Sequence, residues 1–196
     1  MAVKKEHFGR MADGREISLY TIDNGTVSAS FTDLGAVWVS MMVPDRNGDL
    51  ADVLLGYDDA EGYLVNGPHF GSIVGRIANR TGGASFTLNG TSYVLGKNKG
   101  ENNLHSGPDY YDRRLWDARE VGEDSVVFLL DSPDGDQGYP GDLNAEVVYD
   151  WSDDCELEIT YYAKTTAPTI INLTNHSYFN LKGEDRPGAM DQLLQI

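Results

Sequence analysis

The chain has 196 residues, 40% of them hydrophobic and 10% aromatic, which is typical of a globular protein with its own core and excludes a disordered chain. Its 31 acidic residues against 15 basic ones give a formal net charge of -16, which argues against nucleic acid or an anionic membrane surface as a partner. A single cysteine excludes an internal disulfide.

The predicted elements, in chain order, are short strands separated by turns rich in Gly, Asn, Asp and Pro. Strands are predicted over 16–22, 27–31, 36–43, 115–121, 125–131, 143–151, 156–165 and 169–173, with one short helix over 58–64. Asp23-Asn24-Gly25 marks a hairpin between the first two strands, and Asn89-Gly90 predicts a type I′ hairpin within 83–95. Because helical periodicity never persists for three turns, we expect an all-β sandwich or barrel-like fold in one domain.

The last segment, 190–196, has the composition of the start of a further strand. A β domain that ends in mid-strand leaves an unpaired edge, which proteins usually cover. We therefore expect this chain to be the front part of a longer protein, and its strand edges to favour self-association.

Three segments carry polar groups suited to chemistry. TNHSYFNL, residues 174–181, places His176 in a strand-like run, where an imidazole can deliver a proton with defined geometry. GRIANR ends in Asn79 and Arg80, and ENNLHSG carries His105. This inventory fits recognition of, and proton transfer on, a small hydroxyl-rich molecule.

Together with GYPG (138–141), these motifs occur in the order and approximate spacing of the aldose 1-epimerase (galactose mutarotase) family, which the chain resembles from about Glu16 onward. The match covers only the earlier portion of the family's domain. The resemblance implies a large antiparallel β-sandwich of galactose-mutarotase type, formed by residues 1–196 as one truncated domain and incomplete at the C-terminus.

The resemblance also implies an activity, the interconversion of α and β anomers of free aldohexoses such as galactose or glucose by acid/base ring opening without a cofactor. His176 matches the acid that protonates the ring oxygen, and an imidazole with an ordinary pKa near 6.5 suits that task. His105 matches a second histidine that contacts the sugar near C1, so we count it as both catalytic and sugar-binding. Asn79 and Arg80 match a substrate-contacting pair. Tyr178, two residues beyond His176, points to the same face of a strand and joins the pocket.

Each candidate also has a purely structural interpretation. His176 could be a hydrogen-bonded core histidine, Arg80 a partner in a surface salt bridge, His105 a loop-ordering residue and Tyr178 a packed aromatic. We expect Asn175 and Asn180 to be structural.

One departure from the family pattern bears on activity. The family's general base is a glutamate well beyond the NHSYFN motif, and this chain has no assignable equivalent. Glu184 and Asp185 follow the motif directly and match neither that glutamate nor a sugar-binding aspartate of the same later region. We therefore expect the chain to be weakly active or inactive by itself.

Two other functions remain open, a noncatalytic carbohydrate-binding module and an epimerase of phosphorylated hexoses. The second requires basic groups beyond Arg80.

Neither His7 nor His69 has metal-ligand spacing to other donors in the sequence, so no metal is expected. Cys155, between two acidic residues, is a poor candidate nucleophile. Without a signal-peptide pattern or a long apolar run, the cytoplasm is the default location.

Overall fold

The computed structural model describes residues 2–120, 123–152 and 156–195. Cys155 therefore lies outside the described residues. The regular secondary structure of the described chain is almost entirely antiparallel β, and its only α-helix, α1, spans Ala60–Val65. Asp59 caps α1 by accepting a hydrogen bond from the Gly62 N–H. Neither α1 nor any other helix in the described ranges is long and apolar enough to cross a membrane.

The first sheet contains five strands in the order in which they occur along the chain. These are β1 (Ala2–Arg10), β2 (Glu16–Asp23), β3 (Ser28–Thr32), β4 (Val37–Pro44) and β5 (Leu50–Asp52). The hairpin predicted at Asp23-Asn24-Gly25 is confirmed, since β2 and β3 pair antiparallel across it. β1 was not predicted, because its sequence AVKKEHFGR lacks an alternating apolar pattern. It is held by backbone pairing along β2.

The second sheet contains four strands, β11 (Asp117–Glu120), β12 (Ser125–Ser132), β13 (Leu143–Trp151) and β14 (Leu157–Thr165), again in sequential antiparallel order. β13 has the predicted bounds. Its inward side chains, Leu143, Ala145, Val147, Tyr149 and Trp151, are buried and alternate with more exposed residues. This period of two is what a strand with one buried face requires.

The two sheets share one hydrophobic core, which makes the fold a β-sandwich. Tyr20 of β2 meets Phe128 of β12 edge to face at 5.7 Å, and Phe31 of β3 stacks on Tyr149 of β13 at 4.1 Å between ring centroids. The Tyr149 hydroxyl donates to the Ala36 carbonyl at 2.8 Å, so its buried polar end is satisfied.

Three short two-stranded ladders lie beside the large sheets. They pair β6 (Ile73–Val74) with β15 (Thr174–Asn175), β7 (Arg80–Thr81) with β10 (Asn103–Leu104), and β8 (Ser85–Leu88) with β9 (Thr91–Val94). The β8–β9 turn has φ of 50° at Asn89 and 82° at Gly90, which agrees with the predicted type I′ turn. The other two ladders bring distant segments together and position the site.

Three sequence predictions are wrong in this region. Residues 169–173 form no strand, because the chain crosses beside Arg76–Ala78 through backbone hydrogen bonds at Asn172 and one parallel bridge to Ile77. Residues 190–195 also form no strand. Ala189–Asp191 is a single 3-10 turn, and Leu193 and Leu194 lie exposed without a partner strand in the described chain. His176 follows β15 and is not inside a strand.

Candidate functional site

An open cleft of about 490 Å³ lies where the β6–β15 and β7–β10 ladders meet. Its lining consists of Ala78, Asn79, Arg80, His105, Thr174, Asn175, His176, Ser177 and Tyr178. The five side chains singled out from the sequence are all in this set. The structure thus brings the three motif segments together, while the chemical roles assigned to them stay predictions.

His176 is held by its backbone rather than by a regular strand. Its N–H donates to the Ser72 carbonyl at 2.8 Å, immediately after the two-residue pairing of β15 with β6. Its ring lies 5.2 Å from the rings of both His105 and Tyr178. The imidazole therefore has a defined place in the cleft although the predicted strand is absent.

His105 is held by a reciprocal pair of hydrogen bonds with Asn79. The His105 N–H donates to the Asn79 carbonyl at 2.9 Å, and the Asn79 N–H donates to His105 Nδ1 at 2.9 Å. Because Nδ1 accepts, the neutral ring carries its proton on Nε2. Both residues have positive φ, 53° at His105 and 66° at Asn79, a strained conformation for non-glycine residues that often accompanies functional sites.

The surroundings of His105 keep its ring neutral. Burial, followed by the electrostatic effect of the neighbouring His69 and His176, lowers the pKa of His105 to about 4. At neutral pH this imidazole offers an N–H donor and not an acidic proton. Its geometry therefore suits hydrogen bonding to a sugar oxygen.

This low pKa predicts a pH-dependent stability. In the unfolded chain His105 has a pKa near 6.5, so between about 6.5 and about 4 the unfolded state binds more protons than the folded state. The free energy of unfolding should therefore fall as the pH falls through this window. Urea unfolding at several pH values should show a smaller fall in His105→Asn, whose side-chain oxygen can still accept from Asn79 N–H. An equal pH dependence in both proteins would contradict the assignment.

Among the described residues that line the cleft, Arg80 is the only lysine or arginine. Its guanidinium is exposed and donates to Asn79 Oδ1 at 3.2 Å. No salt bridge to Arg80 is found within residues 2–120, 123–152 and 156–195, which leaves its remaining donors available. The surface salt-bridge interpretation of Arg80 therefore has no support among the described residues.

Tyr178 and the two asparagines behave differently from one another. Tyr178 is 42% exposed, with its ring 5.4 Å from that of Phe70. Asn175 donates to the Gly71 carbonyl at 3.0 Å and accepts from the Ser177 N–H. Asn180 is buried and donates to the carbonyls of a following turn. The expected structural role agrees with these contacts of Asn175 and Asn180.

His69 is a residue beside the cleft that sequence reasoning missed. It is only 8% exposed, and its Nδ1 lies 2.6 Å from Oδ2 of Asp112. Its ring lies 5.1 Å from that of His105 and 5.8 Å from that of His176. Since Asp112 is distant in sequence, no local spacing could reveal this pair.

No carboxylate belongs to the described lining of the cleft. Glu184 lies elsewhere, near Asp52 and Asp58, where burial and then these negative charges raise its pKa. Within the described ranges, no group of three or more His, Cys, Asp or Glu side chains is arranged to hold a metal ion. The cleft therefore presents imidazoles, a guanidinium, amides and a phenol to a ligand.

Comparison with known proteins gives a consistent result. The aldose 1-epimerase family model matches residues 18–196. Galactose mutarotase of Bos taurus is 39% identical over 100% of this chain and 57% of its own length. Aldose 1-epimerase of Escherichia coli (strain K12) is 38% identical over 88% of this chain and 50% of its own length. The chain thus spans about half the length of the curated relatives that it matches.

Solved structures support the same grouping. The GalM/aldose epimerase homologue from C. elegans superposes with a TM-score of 0.79 at 32% identity, covering 83% of this chain and 50% of that one. Galactose 1-epimerase from Lactobacillus acidophilus NCFM gives a TM-score of 0.82 at 25% identity, covering 92% and 54%. The sandwich of galactose-mutarotase type is therefore confirmed. The chain belongs to the aldose 1-epimerase family.

Proposed function

We propose that the cleft binds a free aldohexose, such as galactose or glucose, and promotes interconversion of its α and β anomers. The observation that carries this proposal is the convergence of His105, His176 and Arg80 on one open cleft in a chain of this family. The relatives named galactose mutarotase and aldose 1-epimerase support the choice of sugar.

In this proposal each side chain of the cleft has a separate role in proton transfer or sugar binding. His176 donates a proton to the ring oxygen as the bond between that oxygen and C1 breaks, while the C1 hydroxyl loses its proton to a base. The resulting open-chain aldehyde rotates about C1–C2 and recloses on either face, with the protons returning in reverse. His105, as the neutral Nε2–H tautomer, donates to a sugar oxygen near C1. Arg80 and Asn79 bind hydroxyls, and Tyr178 packs beside the sugar.

The base is the part of the reaction that the described cleft does not supply. Its lining holds no carboxylate, so water or a buffer ion takes the proton from the C1 hydroxyl in a weakly active chain. This absence among the described lining residues favours one alternative, a noncatalytic carbohydrate-binding function for the same cleft. An epimerase of phosphorylated hexoses has less support, because Arg80 is the one cation in that lining.

Polarimetry on freshly dissolved α-D-galactose and α-D-glucose tests the proposal. The chain should accelerate mutarotation above the rate in buffer alone, with the Escherichia coli aldose 1-epimerase as a positive control. NMR titration with the same sugars should shift resonances of residues that line the cleft. Sugar binding without acceleration would support the binding function, and absence of both would overturn the proposal.

We further propose that residues 1–196 act as one domain, without a cofactor, in the hexose metabolism of the cytoplasm. The acidic net charge supports a partner that is neither nucleic acid nor membrane. β14 pairs only with β13 in the described chain, and such an edge supports self-association. Sedimentation velocity tests this last point, since a monomer at all concentrations would contradict it.

A further inference from the structure

His69 lies directly behind the cleft and contacts both of its imidazoles. The His69 ring meets the His105 ring edge to face and is tilted against the His176 ring. The side chain is buried and is not part of the cleft lining. A ring in this place does not line the sugar site, but it limits the space in which the two cleft rings can move.

Asp112 fixes the orientation of His69. Its Oδ2 lies 2.6 Å from His69 Nδ1 and accepts a hydrogen bond from the Ser72 hydroxyl at 3.2 Å. Because an ionised carboxylate only accepts, Nδ1 of His69 carries the proton. The backbone of Asp112 is itself held closely, since a Cβ added to Gly35 would lie 2.5 Å from the Asp112 Cα.

The same hydrogen-bonded unit holds the backbone of His176. The Ser72 N–H donates to the His69 carbonyl, and the Ser72 carbonyl accepts from the His176 N–H at 2.8 Å. The Asn66 side chain donates to the Ser72 hydroxyl and accepts from the Phe70 N–H. Asp112, His69 and the main chain of His176 are thus connected through Ser72.

The buried His69–Asp112 pair lowers the stability of the fold relative to an apolar pair of the same volume. Asp112 is buried, and its Oδ1 accepts no hydrogen bond from the described residues. A buried carboxylate with an unpaired oxygen costs stability, and an apolar pair of the same volume would avoid that cost. Such groups call for an explanation, and a neighbouring functional cleft provides one.

We propose that His69, held by its hydrogen bond to Asp112, is a positioning residue that packs against the rings of His105 and His176 and fixes their orientations. By holding the His105 ring where Nδ1 accepts from the Asn79 N–H, it keeps His105 in the Nε2–H tautomer. The His69 side chain contacts Asp112 through Nδ1, and its ring packs against His105, His176 and Tyr110. Ser72 donates to Asp112 through its hydroxyl and to the His69 carbonyl through its N–H. The proposal rests on the proposed function only in assuming that both cleft imidazoles act on a sugar.

Nitrogen-15 NMR of the histidine rings in the whole chain tests this inference without requiring activity, because the chain has four histidines. Unmodified His105 should show the single Nε2–H tautomer. In the His69→Ala variant, the His105 ring should populate both neutral tautomers, and its pKa should move closer to 6.5. His69→Asn retains a side-chain donor for Asp112 but lacks the ring. It should therefore cause the same mixing of His105 tautomers in a chain that still folds. His7→Ala, on exposed β1, is the control and should change nothing at His105.

Kinetics supply a second result. If the chain accelerates mutarotation, His69→Asn should lower kcat by up to about 10²-fold with little change in KM, as expected for misplaced catalytic groups. An unchanged His105 tautomer in a folded His69 variant would overturn the inference, whatever the activity. If the unmodified chain shows no acceleration, the proposed catalysis fails while the ring spectra still decide the role of His69.

Discussion

If the chain accelerates mutarotation as proposed, His176→Gln is expected to lower that acceleration by about 10²–10⁴-fold, the usual contribution of a positioned acid or base. Glutamine can donate a hydrogen bond to the ring oxygen but cannot transfer a proton at neutral pH. The backbone hydrogen bond to the Ser72 carbonyl does not depend on the side chain, so the cleft should keep its shape. Polarimetry on α-D-galactose measures the rate, and NMR titration measures sugar affinity, which should change little.

The control for this variant is His7→Gln. His7 lies on β1 with an exposed side chain near Glu16 and is not part of the cleft lining. The His7→Gln variant should leave the mutarotation rate unchanged. This control distinguishes loss of the cleft imidazole from a general effect of removing a histidine. A His176→Gln chain with the full rate would show that the acid is another group.

The largest expected loss of stability comes from Arg76, a residue of GRIANR that does not line the cleft. Arg76 is 1% exposed and donates to the carbonyls of Ser132, Pro133 and Pro140 and to the Ser132 and Thr169 hydroxyls. Replacement by methionine fills similar space but leaves these buried acceptors without donors. Arg76→Met should therefore lower the free energy of unfolding by about 3–5 kcal/mol, because several buried acceptors lose their donor and each costs about 1–3 kcal/mol when left unpaired.

Urea unfolding monitored by tryptophan fluorescence provides this measurement. Arg113→Met is a matched control, because Arg113 is exposed and contacts the Tyr110 ring from the surface. Its effect should stay within about 0.5 kcal/mol. A loss below about 1 kcal/mol in Arg76→Met would mean that water replaces the lost donors and that the arginine is not an anchor.

Local sequence chemistry predicted much of the sandwich. The hairpin at Asn89-Gly90 follows from two adjacent residues that tolerate positive φ, and β13 follows from strict alternation along 143–151. β1 was not predicted because its sequence is charged and lacks an apolar pattern. It forms a strand through backbone hydrogen bonds to β2. Residues 169–173 were predicted as a strand from their β-branched composition, although their hydrogen bonds go to a neighbouring loop.

The candidate site was predictable where one motif carries one side chain, and not where two distant residues form a unit. The motifs led to Asn79, Arg80, His105, His176 and Tyr178, and the cleft contains them, although their roles await the measurements above. The His69–Asp112 pair could not be predicted because the two residues are 43 positions apart and neither belongs to one of the motifs. Its existence depends on the packing of two turns against each other.

The brief pairing of β15 with β6 has a consequence for how the molecule fluctuates. The segment that carries His176 is joined to its neighbours by the two residue pairs of β15 with β6, by one bridge between Leu54 and Phe179, and by single hydrogen bonds such as that from the His176 N–H to the Ser72 carbonyl. Such a segment can detach by breaking a few backbone hydrogen bonds, at a free energy below that of global unfolding. Amide protons near His176 should therefore exchange with solvent sooner than those of β13, and mild denaturant should dismantle the cleft while the two large sheets persist.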